Sequence, residues 1–145
     1  MISTLILFPI CYILWIVYFL IEGYREAYYF NALSLQFVIQ DKQKKDLHGI
    51  FTYQRLIIFG LINLVCFGLA WKLLILSAAL VLIQPLIHNG MYYKTRNYLN
   101  YKLYPKTWLD MSTTSTAKAT KFETPTLRLV YAGISIILII ILFFI

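Results

Sequence analysis

The amino-acid sequence predicts an all-α polytopic membrane protein with four transmembrane helices. Hydrophobic residues make up 61% of the chain and charged residues only 13%, whereas soluble domains contain roughly 25% charged residues. The apolar residues form long runs, and almost all lysines and arginines lie between these runs. A helix needs about 20 apolar residues to cross a bilayer. We therefore expect residues 1–145 to form a single transmembrane helical domain.

The first apolar run, about residues 2–21, contains no charged residue and predicts the first span. Pro9 lies inside this run, where a proline can kink a helix that its neighbours then support. No basic residue precedes the run, in contrast to a cleaved signal peptide. We therefore expect this segment to be retained as a membrane helix.

The second apolar run extends from Leu56 to Ile87 and is too long for one span. A single helix of this length would measure roughly 48 Å and would place Lys72 near the bilayer centre. We therefore predict two short spans, about 56–70 and 73–88, that form a tight hairpin.

The last apolar run, about residues 129–145, predicts the fourth span. Thr124 and Pro125 precede it. Threonine is a favoured N-cap and proline is favoured in the first helical turn, so we expect these two residues to begin the helix.

The distribution of positive charge predicts the orientation of the spans. Twelve of the 13 lysines and arginines lie in the connections 22–55 and 89–128, and only Lys72 lies at the hairpin turn. Four spans place both connections on one side of the membrane, as the positive-inside rule expects of cytoplasmic loops. We expect both termini outside, both connections in the cytoplasm, and a bacterial inner membrane as the location.

A charged cluster at the end of the first span is the candidate site. Glu22, Arg25 and Glu26 stand at i, i+3 and i+4, so their side chains share one helix face. The antiparallel hairpin places two further polar groups, before the second span and after the third, at the depth of this cluster. The predicted polar rim consists of Glu22, Arg25, Glu26, Arg55, His88, Asn89 and Tyr92.

Several kinds of chemistry are open to the polar rim. It can cap the bundle with ion pairs, or it can bind a lipid or isoprenoid phosphate through Arg25 and Arg55, with His88 or a glutamate moving protons. Metal ligation by the two glutamates, His88 and His48 is chemically possible. However, the histidines are isolated and show no metal-ligand spacing. The sequence thus predicts no metal, no cofactor and no assigned catalytic residue.

Basic residues and tyrosines alternate in the segment YYKTRNYLNYKLY, residues 92–104. Tyr93, Asn97, Tyr101 and Tyr104 recur at helical spacing, so the third span is expected to continue beyond the membrane. An interfacial aromatic belt is the simplest interpretation, and nucleic-acid binding is a weaker one. The residues predicted to contact anionic lipid headgroups or a protein partner are Lys42, Lys44, Lys45, Lys94, Arg96 and Lys102.

Polar and small residues within the spans predict how the helices pack. Asn63, Ser77 and Gln84 can form hydrogen bonds between helices. Small side chains let helix backbones approach closely, and the candidates for such contacts are Gly60, Ala78, Ala79, Ala132 and Gly133. In the connections, residues 31–49 are consistent with an amphipathic surface helix, and residues 112–120 resemble a polar linker.

Three function classes follow from these patterns. The leading hypothesis is a non-enzymatic accessory or scaffold subunit that uses its basic, tyrosine-rich cytoplasmic face to bind a protein partner or a second copy of the chain. The first alternative is a membrane-interface enzyme or binding protein for a lipid or isoprenoid phosphate at the polar rim. The second alternative is a holin-like pore former, for which small size and hydrophobicity are the only indications.

Overall fold

The computed structural model describes a helical protein and confirms the all-α prediction for the residues that it covers. These residues are 4–36, 51, 53, 55–58, 60, 63, 71–110 and 124–145. The long helices are α1 (Thr4–Gln36), α2 (Lys72–Leu99) and α3 (Pro125–Phe144). The described residues between 51 and 63 are helical as well. Each of α1, α2 and α3 contains a segment long and apolar enough to cross a membrane, which supports an integral membrane protein.

Helix α1 buries a single stripe of side chains along its length. Phe8, Tyr12, Trp15 and Phe19 are buried and follow one another at intervals of four, three and four residues, which is the spacing of one helix face. Glu22, Glu26 and Phe30 continue the same stripe. The helix has 33 residues and therefore extends well past residue 21, the predicted end of the first span. Its two glutamates, Glu22 and Glu26, lie on the buried stripe and both have Arg55 as a partner.

Helix α3 begins with the predicted cap. The Thr124 hydroxyl accepts a hydrogen bond from the backbone N–H of Leu127 at 3.2 Å, and Pro125 is the first helical residue. The helix thus starts four residues earlier than the predicted span at 129. Its buried stripe again has helical spacing and consists of Arg128, Ala132, Ser135, Ile139 and Leu142.

Helix α2 continues beyond residue 88, as the tyrosine pattern predicted, but it ends at Leu99. The backbone leaves the helix at Asn100, whose N–H still bonds to the Arg96 carbonyl at 2.9 Å. The following chain then returns along α2, because the ring of Trp108 packs directly on Gly90. A Cβ atom at Gly90 would overlap the indole ring of Trp108. Tyr101 and Tyr104 therefore lie outside the helix, and residues 100–110 form a return segment.

A buried hydrogen-bond chain fixes the relative level of the three helices. The Ser135 hydroxyl of α3 donates to the Ala79 carbonyl of α2 at 2.6 Å. The Tyr12 hydroxyl of α1 lies 2.6 Å from the same serine oxygen. Because a serine hydroxyl has one proton, Tyr12 is the donor in this second bond. The three helices therefore meet at Tyr12, Ala79 and Ser135.

Contacts away from this level give the helix directions. Glu26 follows Tyr12 in α1 and His88 follows Ala79 in α2. The side chains of Glu26 and His88 are in contact. Helices α1 and α2 therefore run in the same direction. Arg128 precedes Ser135 in α3 and bonds to the carbonyl of Trp108 at 3.4 Å. Trp108 packs on Gly90, two residues from His88. Helix α3 therefore runs opposite to the other two.

Two contacts indicate that the chain from Arg55 to Asn63 runs antiparallel to α1. Arg55 bonds to Glu22 at 3.1 Å. Asn63 accepts a hydrogen bond from the Cys11 thiol at 3.5 Å, next to Tyr12. The chain thus passes from the level of the charged residues back to the Tyr12 level within eight positions, which is about 12 Å along a helix. The predicted interhelical role of Asn63 is confirmed by this bond.

The helices enclose two apolar cores. The larger one surrounds the hydrogen-bond chain, and the smaller one lies beyond the charged residues and consists of Ala27, Phe30, Tyr92 and Tyr93, with Phe51 against it. Several predictions fall outside the described residues. These are the second-span residues 64–70, the surface helix from residue 37 onward, Lys42, Lys44, Lys45, His48 and the linker 112–120.

Candidate functional site

The structure brings most of the polar rim together between α1 and α2. Glu22 and Glu26 lie one turn apart on the buried stripe of α1, and His88 faces them from α2. Gly23 permits this close approach, because a Cβ atom there would lie 2.5 Å from the carbonyl oxygen of His88. A backbone atom cannot move aside as a flexible side chain can, so the contact requires glycine at this position.

Arg55 lies at the centre of the cluster. Its Nε donates to Oε2 of Glu22 at 3.1 Å, and its Nη2 donates to Oε1 of Glu26. The same Nη2 lies 2.9 Å from Nε2 of His88. One guanidinium therefore joins both carboxylates and the imidazole, as expected for a group with five donors and a fixed geometry.

The two ring nitrogens of His88 have different partners. A guanidinium can only donate, so a hydrogen bond from Arg55 to Nε2 requires the ring proton on Nδ1. Nδ1 lies 3.3 Å from the side-chain oxygen of Asn89, which can accept that proton. Nε2 also lies 3.4 Å from Oε2 of Glu26, a contact that is an ion pair when the ring is protonated.

Arg25 forms the outer edge of the cluster. Its guanidinium bonds to Oε1 of Glu22 at 2.8 Å, and 53% of its side chain is exposed. It also lies 5.6 Å from the ring centre of Phe51, and the Tyr18 hydroxyl donates to the same Glu22 oxygen at 3.3 Å. Glu22 consequently links the buried arginine, Arg55, to an exposed one.

Asn89 and Tyr92 occupy different positions relative to this cluster. Asn89 contacts His88 directly, as described above. The Tyr92 hydroxyl instead accepts a hydrogen bond from Nη1 of Arg96 at 3.0 Å, and its ring lies in the smaller core. The predicted polar rim is therefore assembled around Arg55, with Tyr92 one turn farther along α2.

Arg96 does not lie on the surface that the sequence predicted for it. Only 1% of the residue is exposed, and its guanidinium carbon lies 3.6 Å from the ring centre of Tyr104. The return segment places this tyrosine over the arginine and covers its guanidinium. Lys94 and Lys102, from the same predicted surface, are exposed.

Arg128 is a buried charged residue that the sequence interpretation counted only as a loop charge. It is fully buried and donates to the backbone carbonyls of Trp108 and Asp110 in the return segment. The sequence feature that could have indicated this burial is the position of Arg128 four residues before Ala132, on the same helix face. Nearby, the backbone N–H of Thr107 donates to the Asp110 carboxylate and holds the pKa of that group below its ordinary value.

Glu22, Glu26 and His88 also form a set of metal-type donors. One potential ligand atom from each of these buried residues lies within 4.8 Å of the others. The donors come from two helices far apart in sequence, so no local spacing could reveal them. The arrangement can serve as an ion-pair network around Arg55 or as a cation site.

Comparison with protein-family models, curated proteins and solved structures finds no match for this chain. Conclusions about its function therefore depend on the chemistry of the described residues.

Proposed function

We propose that the chain crosses the membrane four times, with the fourth crossing supplied by the chain between α1 and α2. Because α1 and α2 are parallel, their connection has to return to the opposite side of the bundle. The contacts of Arg55 with Glu22 and of Asn63 with Cys11 follow that return path. The proposed orientation has both termini outside and the charged cluster at the cytoplasmic side of a bacterial inner membrane.

The depth of the charged cluster in this arrangement follows from helix geometry. Ser135 lies in the middle of α3, whose 20 residues span about 30 Å, the thickness of the hydrocarbon core. The Tyr12 level therefore corresponds to the bilayer centre. Glu22 lies ten residues beyond Tyr12, or roughly 15 Å, which is the edge of the hydrocarbon.

We infer that the protein is a non-enzymatic scaffold or accessory subunit of a membrane complex. The observation that supports this function best is that Arg55 bonds to both carboxylates and to the imidazole. With Arg25 on the outer side, two guanidiniums balance two carboxylates. The polar rim is then used to hold helices together, since separating such buried charges is costly.

The surface proposed for the partner lies at the cytoplasmic end of α2 and on the return segment. Tyr98 and Tyr101 are 82% and 68% exposed, and Leu103 is also exposed. Lys94 and Lys102 are exposed beside them. Aromatic residues are enriched in the centres of protein interfaces, and the lysines favour a partner or membrane surface with negative charge.

The first prediction tests this partner surface. We expect the chain, gently extracted from its own membrane, to carry a stoichiometric protein partner in native mass spectrometry. The combined variant Tyr98→Ser and Tyr101→Ser should lose that partner, because it removes the two exposed tyrosines of the proposed surface. Tyr24→Ser, which changes an exposed tyrosine of α1, is the matched control and should retain it. A chain that is always recovered without protein partners would contradict the scaffold function.

A second candidate function is the binding of a lipid phosphate at Arg25. The exposed half of this guanidinium would lie near headgroup depth in the proposed arrangement, and arginine suits phosphate because it can donate two parallel hydrogen bonds. Retention of an anionic lipid by the native chain, and its loss in Arg25→Gln with the protein partner unaffected, would favour this candidate over the first.

A further inference from the structure

The polar rim contains donors suited to a transition metal as well as to an ion pair. Glu22, Glu26 and His88 supply two carboxylates and one imidazole, all buried, with one ligand atom from each within 4.8 Å of the others. Zn²⁺ is bound by such nitrogen and oxygen donors, and three protein ligands leave a fourth position for water or a substrate oxygen. Helical bundles commonly build metal sites from inward-facing glutamate and histidine.

The histidine ring is oriented as a metal requires. Nδ1 lies 3.3 Å from the Asn89 oxygen, and Nε2 is the ring nitrogen that faces Glu26. A metal-bound histidine is usually held in this way by an acceptor on its other nitrogen. The Asn89 contact is independent of the carboxylates and orients the ring for ligation.

A positive group is needed between the donors. Nε2 of His88 and Oε2 of Glu26 lie 3.4 Å apart, and both present lone pairs to each other in a buried space. Arg55 relieves this repulsion by bonding to the same three side chains that would ligate the metal. The side chain of Arg55 is 14% exposed, whereas those of Glu26 and His88 are 2% and 6% exposed.

We propose that Glu22, Glu26 and His88 form a binding site for a divalent transition metal of the Zn²⁺ class, and that Arg55 is the cation with which the metal competes. The cluster then has two alternative occupants. In one, the guanidinium of Arg55 neutralises the carboxylates. In the other, the metal takes its place and Arg55 turns outward. This inference goes beyond the proposed scaffold function and leaves the partner surface unchanged, because either cation joins the carboxylates of α1 to the imidazole of α2.

The experiment is metal titration of the full chain in detergent after dialysis against a chelator. Zn²⁺ binding is measured by calorimetry, and Co²⁺ binding by its visible absorption, which reports the ligands directly. Glu26→Gln and His88→Gln should weaken binding at least about 10-fold, and Asn89→Ala should weaken it about 10-fold through loss of ring orientation. Asp110→Asn, a carboxylate outside the cluster, should leave the affinity unchanged.

The decisive variant is Arg55→Gln, because its expected effect has the opposite sign. Removal of the competing cation should tighten Zn²⁺ binding at least about 10-fold, and the added change His88→Gln should abolish that gain. Circular dichroism and gel filtration of each variant show whether the fold is retained. Absence of Zn²⁺ and Co²⁺ binding in both the native chain and a folded Arg55→Gln variant would overturn the proposal. Equal Zn²⁺ affinities of the Arg55→Gln variant and of the double variant with His88→Gln would also overturn the proposal.

Discussion

At the scale of single residues, several of the described polar groups of the interior bond to one another across helices. The Ser135 hydroxyl connects all three long helices, since it accepts from Tyr12 and donates to the Ala79 carbonyl. Ala79 lies in a helix, so one lone pair of its carbonyl oxygen accepts the helix hydrogen bond. The other lone pair can accept from Ser135. Arg55 performs the same linking function with charged groups at the rim. A small number of side chains thus fixes how the helices meet.

The second prediction concerns the serine. Ser135→Ala removes both hydrogen bonds and leaves the buried Tyr12 hydroxyl without its acceptor. We expect a loss of about 1–2 kcal/mol in the free energy of unfolding, because interhelical hydrogen bonds in membranes contribute about 0.6 kcal/mol each and an unsatisfied hydroxyl adds to the loss. Reversible unfolding in mixed detergent micelles is the appropriate measurement.

A double-mutant cycle provides the control for this prediction. Tyr12→Phe together with Ser135→Ala should cost less than the sum of the single changes, since the second substitution no longer leaves the tyrosine hydroxyl unpaired. Ser77→Ala, at a half-buried serine of α2, should change stability little. Strict additivity of the two single changes would show that the bond between Tyr12 and Ser135 does not stabilise the fold.

At the scale of helices, the close contact of α1 and α2 depends on Gly23. The backbone of α2 lies so near that a Cβ atom at this position would overlap the His88 carbonyl oxygen at 2.5 Å and would crowd Met91 at 3.2 Å. Gly133 of α3 gives the opposite case, since nothing lies within 4 Å of a Cβ atom there. The two positions differ in their surroundings and share a helical conformation.

The third prediction compares these two glycines. Gly23→Ala should destabilise the protein by about 1–3 kcal/mol, because the added methyl group has to separate the helices at the polar rim. Gly133→Ala should be neutral or stabilising by up to about 1 kcal/mol, since alanine favours the helix. Unfolding in mixed micelles measures both. Equal effects at the two positions would contradict the close approach of α1 to α2.

At the scale of the whole molecule, the parallel arrangement of α1 and α2 determines the proposed topology. In that proposal, the connection that leaves α1 at the rim crosses the bilayer again before α2 begins. The distribution of lysine and arginine independently favours four crossings. Twelve of the 13 positive residues lie in two connections, and four crossings place both connections on one side of the membrane.

The fourth prediction tests the topology by cysteine labelling. In a chain whose Cys11 and Cys66 are replaced by serine, Ser3→Cys should react with a membrane-impermeant maleimide in intact bacterial cells. Lys118→Cys should react only after permeabilisation, because the proposed arrangement places it in the cytoplasm. Labelling of both positions from the same side would exclude four crossings in this orientation.

Much of the helical architecture follows from the sequence, because apolar length and helix caps are local properties. The three long helices, the Thr124 and Pro125 start of α3 and the continuation of α2 past residue 88 could be predicted in this way. The end of α2 could not, since the return segment is directed by the distant contact between Trp108 and Gly90. Close helix packing was expected at Ala79 and Ala132, which are buried in the larger core, but it was not expected at Gly23, where the backbones of α1 and α2 also approach closely.

The sequence by itself determined that this chain is a helical membrane protein with charged residues at the ends of its apolar runs, since solvation in lipid requires both. It also indicated that Arg55 and His88 share a depth. Only the tertiary structure decided which atoms meet there: one guanidinium between two carboxylates and an imidazole nitrogen. It also decided that Arg96 and Arg128 are buried. Such pairings depend on the rotation of each helix about its axis, which is set by side-chain packing between distant segments.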